Sequence, residues 1–322
     1  MRGVVAMATT PRMDLNNYTD YFQIYDNGSQ YNRAVGMAYE AGSVVKVLTM
    51  AAALDSGTVT PETSFIDTGS IQVGGITIQN WDRQPWGQQD MTGCLQHSLN
   101  VCMAWIATQM GTQTFYSYMD HFGFGHPTGV DLADEAMGRL KVPGDSDWYS
   151  VDLGTNAFGQ GVSVTPIQML EAVSAVANNG HMVTPHVLYS MLRDGHQYNV
   201  PAQYVGTPIT AKTAQTLTNM LAVSLEQESS GALLPGYRLA GKTGTAQIPT
   251  DFGYDPNHTN ASFIGWGPVD DPQFMIYVWL QEPTSSIWGS QTAAPVFSQV
   301  AEQTVILLNI PPDMVRNQFG SR

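Results

Sequence analysis

The stretch Ser43-Val44-Val45-Lys46-Val47-Leu48-Thr49-Met50-Ala51-Ala52-Ala53-Leu54 decides how the rest of the chain is read. It predicts a helix over Ser43 to Asp55, stopped by Gly57, apolar on nearly every face and therefore buried. A lysine inside such a helix is costly unless it has partners or gives up its proton. Ser43 stands three residues earlier, on the same helical face. It also falls in the first turn, where unpaired backbone N–H groups and the helix dipole favour negative charge. A serine beside a lysine of depressed pKa is a nucleophile with its base. Ser-x-x-Lys also arises by chance, with a serine that only caps and a lysine that snorkels to water. The triplet therefore needs support from elsewhere.

Two further segments supply it. The chain has only four lysines, Lys46, Lys141, Lys212 and Lys242, so the setting of each is informative. Lys242 lies in Gly241-Lys242-Thr243-Gly244-Thr245, between strand-like segments. Its glycines permit close backbone approach by a ligand, and the lysine and the two threonine hydroxyls suit a carboxylate. An extended peptide can add beside such a strand. Ser98-Leu99-Asn100, on a helix expected over about 91–109, offers a hydroxyl and an amide to a cleft. Taken singly, the first is a strand end with a solvated lysine and the second a polar spot on an amphipathic helix. Their order and spacing, 55 residues from Ser43 to Ser98 and 199 to Lys242, make the set specific.

Around these segments the chain divides without a linker or repeat. Residues 2–8 read as a short strand, and Asp14 to Arg33 as polar loop. Ile71 to Ile78 reads as a hairpin turning at Gly74-Gly75. Helices follow at about 91–109 and 112–122, then from Thr165-Pro166 to before Gly180, and from about Thr210 to Glu226. The last third turns strand-like at Tyr237–Gln247, Ser262–Trp266 and Gln273–Gln281, with a turn at Val269-Asp270-Asp271-Pro272. A closing helix spans about Thr292 to Leu308. The expected fold class is α/β of the α+β type: an antiparallel sheet assembled from both chain ends, about 1–10 and 236–322, flanked by helices and beside a mostly helical lobe. The cleft between sheet and lobe is the expected site.

Composition narrows the function. In 322 residues, 13 Lys+Arg against 27 Asp+Glu leave a net charge of −14, which disfavours nucleic acid and anionic lipid surfaces as partners. No stretch approaches the ~20 apolar residues of a spanning helix, so the chain reads as soluble. Cys94 and Cys102 sit eight apart in a helical segment, a rise of about 12 Å, which leaves the pair too far apart for a disulfide if the helix is continuous. The seven histidines (97, 121, 126, 181, 186, 196, 258) form no metal-ligand pattern, and neither a metal nor a cofactor is expected. No G-x-S-x-G elbow suggests an α/β-hydrolase.

The three segments together resemble the signatures of the penicillin-binding protein and serine β-lactamase superfamily. The resemblance extends beyond them. Tyr39-Glu40-Ala41-Gly42-Ser43-Val44-Val45-Lys46 is similar to the Y-E-P-G-S-x-x-K box of class B (monofunctional) peptidoglycan transpeptidases. Phe122 to Leu132, Phe158 to Gln168, Lys242 to Gln247 and Ser262 to Trp266 are similar to their later boxes, and Gly3 to Ala8 to their entry segment. Nearly the whole chain, 1–322, is covered as one transpeptidase domain. There are departures: Ala41 replaces the usual proline, Leu99 sits within the second motif, Leu132-Ala133-Asp134-Glu135 replaces L-P-G-E, and Trp288-Gly289-Ser290 replaces a Tyr-Gly-Gly-like turn. Family members also carry an N-terminal membrane anchor and a non-catalytic module, which are expected to be absent here.

The resemblance implies a D,D-transpeptidase acting on D-Ala-D-Ala stem peptides of peptidoglycan through a serine acyl-enzyme. Neutral Lys46 takes the proton of Ser43. The backbone N–H groups of Ser43 and Thr245 form the oxyanion hole. Ser98, with Lys242, returns a proton to the leaving D-Ala, and Asn100 orients the substrate amide. Lys242, Thr243, Gly244 and Thr245 hold the terminal carboxylate. β-Lactams are expected to acylate Ser43. An extracytoplasmic location and cell-wall synthesis partners are implied for the full-length parent. The rivals are a serine β-lactamase, with Glu135 as the base that activates water, a β-lactam sensor or silent scaffold, and a D,D-carboxypeptidase.

Overall fold

The computed structural model describes residues 3–10, 12, 14, 16–20, 32–228, 231–250 and 253–319. The lysine-bearing helix, α1 (Lys46–Asp55), lies at the centre, and every side chain from Lys46 to Ala53 is out of contact with solvent. Its apolar residues leave no face that favours water, so neighbours pack around it. A 3-10 turn, Gly42–Val45, leads into it and carries Ser43.

The hairpin of β1 (Ser70–Val73) and β2 (Ile76–Gln79) turns at Gly74-Gly75, both at positive φ, as the sequence indicates. The segment expected to be one helix over 91–109 is two: α2 (Met91–Gln96) and α3 (Asn100–Met110), followed by α4 (Thr112–His121). The break falls at Ser98, with φ +52°, a left-handed conformation that a serine discloses poorly in sequence. The turn shortens the path between the cysteines to a Cα separation of 6.1 Å, and Cys94 and Cys102 are disulfide-bonded. The expectation of an unbridged pair fails because it assumed an unbroken helical rise.

Helix α5 (Pro166–Ala177) begins in a capping box in which Thr165 Oγ1 accepts from Gln168 N–H and Gln168 Oε1 accepts from Thr165 N–H. Helix α6 (Ala211–Gln227) is capped by Thr210. Three long antiparallel strands follow in sheet order β3 (Ala240–Thr250), β4 (Gly253–Gly267) and β5 (Phe274–Gln281), then α7 (Ala293–Leu307). Alternation along β4 serves both faces: Ile264 and Trp266 join the main core around α1, while Phe263 meets Phe297 of α7 at 4.6 Å between ring centroids.

The expected N-terminal strand is not part of this sheet. Among the described residues, 3–8 form no strand; Val4 N–H donates to His186 O. Val4 and Met7, three apart, pack against the small cluster of Val35, Val130 and Ile167, while Val5 is exposed. The segment buries residues at a spacing of three, not at the alternation a strand needs. The loop expected over Asp14 to Arg33 lies mostly outside the described residues.

Candidate functional site

The Lys46 amine is met by a segment distant in sequence, residues 98–100. Its Nζ donates to Ser98 O (2.6 Å) and Asn100 Oδ1 (2.8 Å) and lies 3.1 Å from Ser98 Oγ. All three partners belong to the stretch enclosed by the Cys94–Cys102 bridge. The break between α2 and α3 is what turns both a carbonyl and a hydroxyl of Ser98 toward the lysine. Asn100 is held in turn, its Nδ2 donating to Gln79 O of the hairpin. The neighbouring N-terminus of α3 is fixed by Val101 N–H donating to Asn80 Oδ1, and Asn80 Nδ2 donates to Asp67. These supports at Asn80 and Asp67 carry no motif, because only the tertiary contact of the hairpin with α3 gives them their role.

Burial holds the Lys46 amine well below the ordinary lysine range, and the nearby positive charge of Lys242 lowers it further, while Glu228 opposes. Lys242 is lowered by its own burial, again opposed by Glu228. Glu228 caps the C-terminus of α6; its side chain is exposed overall, and partial desolvation raises its carboxyl against the pull of Lys242 and Lys46. Its charge acts on both lysines, and it carries no motif by which the sequence discloses it. A neutral Lys46 amine has two N–H donors and one lone pair. Those donors match Ser98 O and Asn100 Oδ1, which leaves the lone pair for a hydroxyl proton.

Strand β3 forms an outer edge of the sheet, pairing only with β4 among the described residues. The Ser43 turn lies against it. A Cβ on Gly42, whose φ is +60°, would stand 3.2 Å from Thr245 O, and one on Gly244 would stand 3.1 Å from Ala41 O and overlap Ser262 Oγ. Glycine at both positions brings the serine turn and the lysine–threonine strand into backbone contact. Gly42 N–H also donates to Gly159 O, which ties the turn to the 158–168 segment. Lys242 Nζ donates to Thr243 Oγ1 at 3.3 Å. Thr245 Oγ1 accepts from Gly289 N–H at 3.0 Å, so its own O–H proton remains available to a ligand. Across the mouth, Trp81, whose Nε1 donates to His97 O, meets Trp288 edge-on at 5.5 Å between centroids. This pair joins the helical side to the sheet side, and sequence gave no sign of it.

Every candidate residue named from sequence thus falls at this junction: Ser43, Lys46, Ser98, Asn100, Lys242, Thr243, Gly244 and Thr245. Glu135 does not. Its carboxylate is engaged by Thr128 N–H, the Thr128 hydroxyl and Gly129 N–H, as a clamp on its own loop. Among the described residues no cluster of His, Cys, Asp and Glu is arranged to hold a metal ion.

Solved structures place this architecture in the β-lactamase-like fold of penicillin-binding transpeptidase domains. The transpeptidase domain of Burkholderia pseudomallei penicillin-binding protein 3 superposes with a TM-score of 0.78 at 30% identity, covering 88% of this chain and 83% of that one. Penicillin-binding protein 3 of Mycobacterium tuberculosis, in complex with ampicillin, gives a TM-score of 0.80 at 29% identity over 89% of this chain and 66% of that one. Residues 2–302 match the penicillin-binding protein transpeptidase domain, and the chain belongs to that family. Stage V sporulation protein D of Bacillus subtilis is 34% identical over 96% of this chain and 50% of its own length. Penicillin-binding protein PbpB of Mycolicibacterium smegmatis is 32% identical over 87% and 45%. The chain spans about half the length of these curated relatives.

Proposed function

We propose that this chain is a peptidoglycan D,D-transpeptidase domain, spanning 1–322, that cross-links stem peptides through an acyl-enzyme on Ser43. The observation that carries the reading is the fully buried Lys46 amine, one turn from Ser43 and hydrogen-bonded to Ser98 and Asn100. Neutral Lys46 takes the Ser43 proton as Oγ attacks the penultimate D-Ala carbonyl. The Ser43 and Thr245 N–H groups hold the oxyanion, an arrangement worth roughly 3–4 kcal/mol per donor in acyl-transfer enzymes. Collapse breaks the amide C–N bond, and Ser98, 3.1 Å from Lys46 Nζ, delivers the proton to the departing D-Ala amine with Lys242 assisting. Asn100 orients the substrate amide. Lys242 with the hydroxyls of Thr243 and Thr245 binds the terminal carboxylate, and the peptide backbone pairs along the edge of β3 past Gly244. An acceptor amine then attacks the ester, and Ser43 regains its proton.

Peptidoglycan stem peptides are the substrates and β-lactams are covalent inhibitors in this reading. The names of relatives support it, since they include peptidoglycan D,D-transpeptidase MrdA of Haemophilus influenzae. Such substrates lie outside the cytoplasmic membrane, and the disulfide fits an oxidising compartment. The engagement of Glu135 with Thr128 and Gly129 argues against a β-lactamase that uses it to activate water.

Incubation with a fluorescent penicillin, followed by intact mass over hours, tests the reading. A stable adduct that is lost in Ser43→Ala and in Lys46→Ala is expected. Rapid return to the free mass with hydrolysed drug means a β-lactamase, and no adduct means a silent scaffold.

A further inference from the structure

Away from the Ser43 site, a pocket of about 750 Å³ opens between α4, α5 and the 205–208 segment. Glu171 of α5 lines it and is only 6% exposed. Among the described residues no hydrogen bond or ion pair engages its carboxyl, and the two imidazoles that line the same pocket, His121 and His126, do not pair with it. Its Oε2 lies 3.4 Å from where a Cβ on Gly123 would stand, so the missing side chain at that wall leaves the oxygen uncovered. The neighbouring charges are mostly of its own sign. Glu135 acts on it through space, and Asp120 lines the same pocket, paired with His126 at 2.8 Å. Met182, Pro208 and the Tyr118 ring supply apolar wall.

A carboxyl in a side chain this deeply buried, open to water only through the pocket, is poorly solvated as an anion and favours a proton or a cation. Burial, with Glu135 adding to it, raises this one to about 8. A ligand that brings a positive head on an apolar stem answers both walls at once, since the stem lies on Met182 and Pro208 while the head meets Glu171.

We propose that this pocket binds the cationic side chain of a partner polypeptide, a lysine or arginine whose ammonium or guanidinium pairs with Glu171. The charge of the whole chain, −14, favours the approach of such a partner.

The test uses the intact chain labelled with 13C at the methionine methyls and at glutamate Cδ. The probes are N-acetyl-lysine N-methylamide, N-acetyl-arginine N-methylamide, the neutral N-acetyl-norleucine N-methylamide, and putrescine. At least one of the two cationic amino-acid probes should shift the Met182 methyl saturably, with an affinity at least tenfold better than norleucine. Glu171→Gln should lower that affinity at least tenfold while leaving penicillin acylation of Ser43 unchanged. In the unmutated protein at pH 7, the Glu171 Cδ resonance should move toward the carboxylate position as the probe is added, a readout that does not depend on the variant folding. Equal binding of norleucine, undiminished binding to Glu171→Gln, or an unmoved Cδ resonance overturns the proposal. Putrescine binding more tightly than both amino-acid probes overturns the assignment to a polypeptide side chain.

Discussion

Removing the Cys94–Cys102 bridge tests how the lysine is held. The bridge closes a loop of eight residues, and that loop contains Ser98 and Asn100, which supply all three contacts of Lys46 Nζ. Chain-entropy loss for a loop of this size corresponds to about 2.5 kcal/mol of folding stability. Spread over the unfolding entropy of a chain of 322 residues, that is a fall in Tm of about 4 °C. The effect on chemistry follows from the same geometry. Ser98 is held at positive φ between two helix ends, a conformation that the bridge helps to fix. Loosening it weakens at least one hydrogen bond to the lysine, worth ~1–1.5 kcal/mol or about tenfold in rate. The Cys94→Ala/Cys102→Ala protein, and the unmutated protein kept reduced, should each melt lower by about that amount. Both should acylate with penicillin about tenfold more slowly at 25 °C, well below melting. A doubly substituted protein that melts within 1 °C of the parent and acylates at the parental rate would refute the reasoning.

Acylation should rise with pH through the lowered pKa of Lys46, because only the neutral amine takes the Ser43 proton, and Lys46→Met should reduce it by at least about 100-fold and remove this limb of the profile. The folded state binds fewer protons at Lys46 than the unfolded one, so this residue makes stability climb with pH from its folded pKa toward the ordinary lysine value, and denaturant titrations of Lys46→Met should show that slope reduced. Gly159→Ala places a Cβ over Gly42 O at a φ of +85°; a loss of at least about 2 kcal/mol in urea unfolding and near-complete loss of penicillin labelling are expected. Glu171 carries the opposite sign: its folded pKa is raised to about 8, so its contribution is complete below the ordinary carboxyl range and is lost as pH rises to 8, by at most about 5 kcal/mol, and Glu171→Gln should flatten stability over that range.

Much of the candidate site was legible because its chemistry needs rare residues in costly places. Lys46 stands out in an apolar helix, and Lys242 is one of only four lysines, set between glycines that bring backbones together. The helices beginning at Thr165 and Thr210 were legible because their caps are local in sequence. What escaped depends on tertiary contact. Ser98 adopts positive φ although it is not glycine, which hid both the helix break and the disulfide that the break permits. The N-terminal apolar run has strand-like composition, but Val4 and Met7 pack on Val35 and Ile167 and no ladder forms. Trp288 showed only as a departure from a Tyr-Gly-Gly-like turn, Glu228 and Trp81 carry no motif, and only the packing of α6 and the turns around them brings the three toward the site.

The most direct measurement supplies a stem-peptide analogue whose terminal amide is replaced by an ester, together with a D-amino acid as amine acceptor, and follows protein mass and product. The account predicts a transient acyl adduct that peptide mapping places on Ser43, an amide product joining donor to acceptor, and loss of both in Ser43→Ala. An adduct on another residue, or undiminished product from Ser43→Ala, would contradict it.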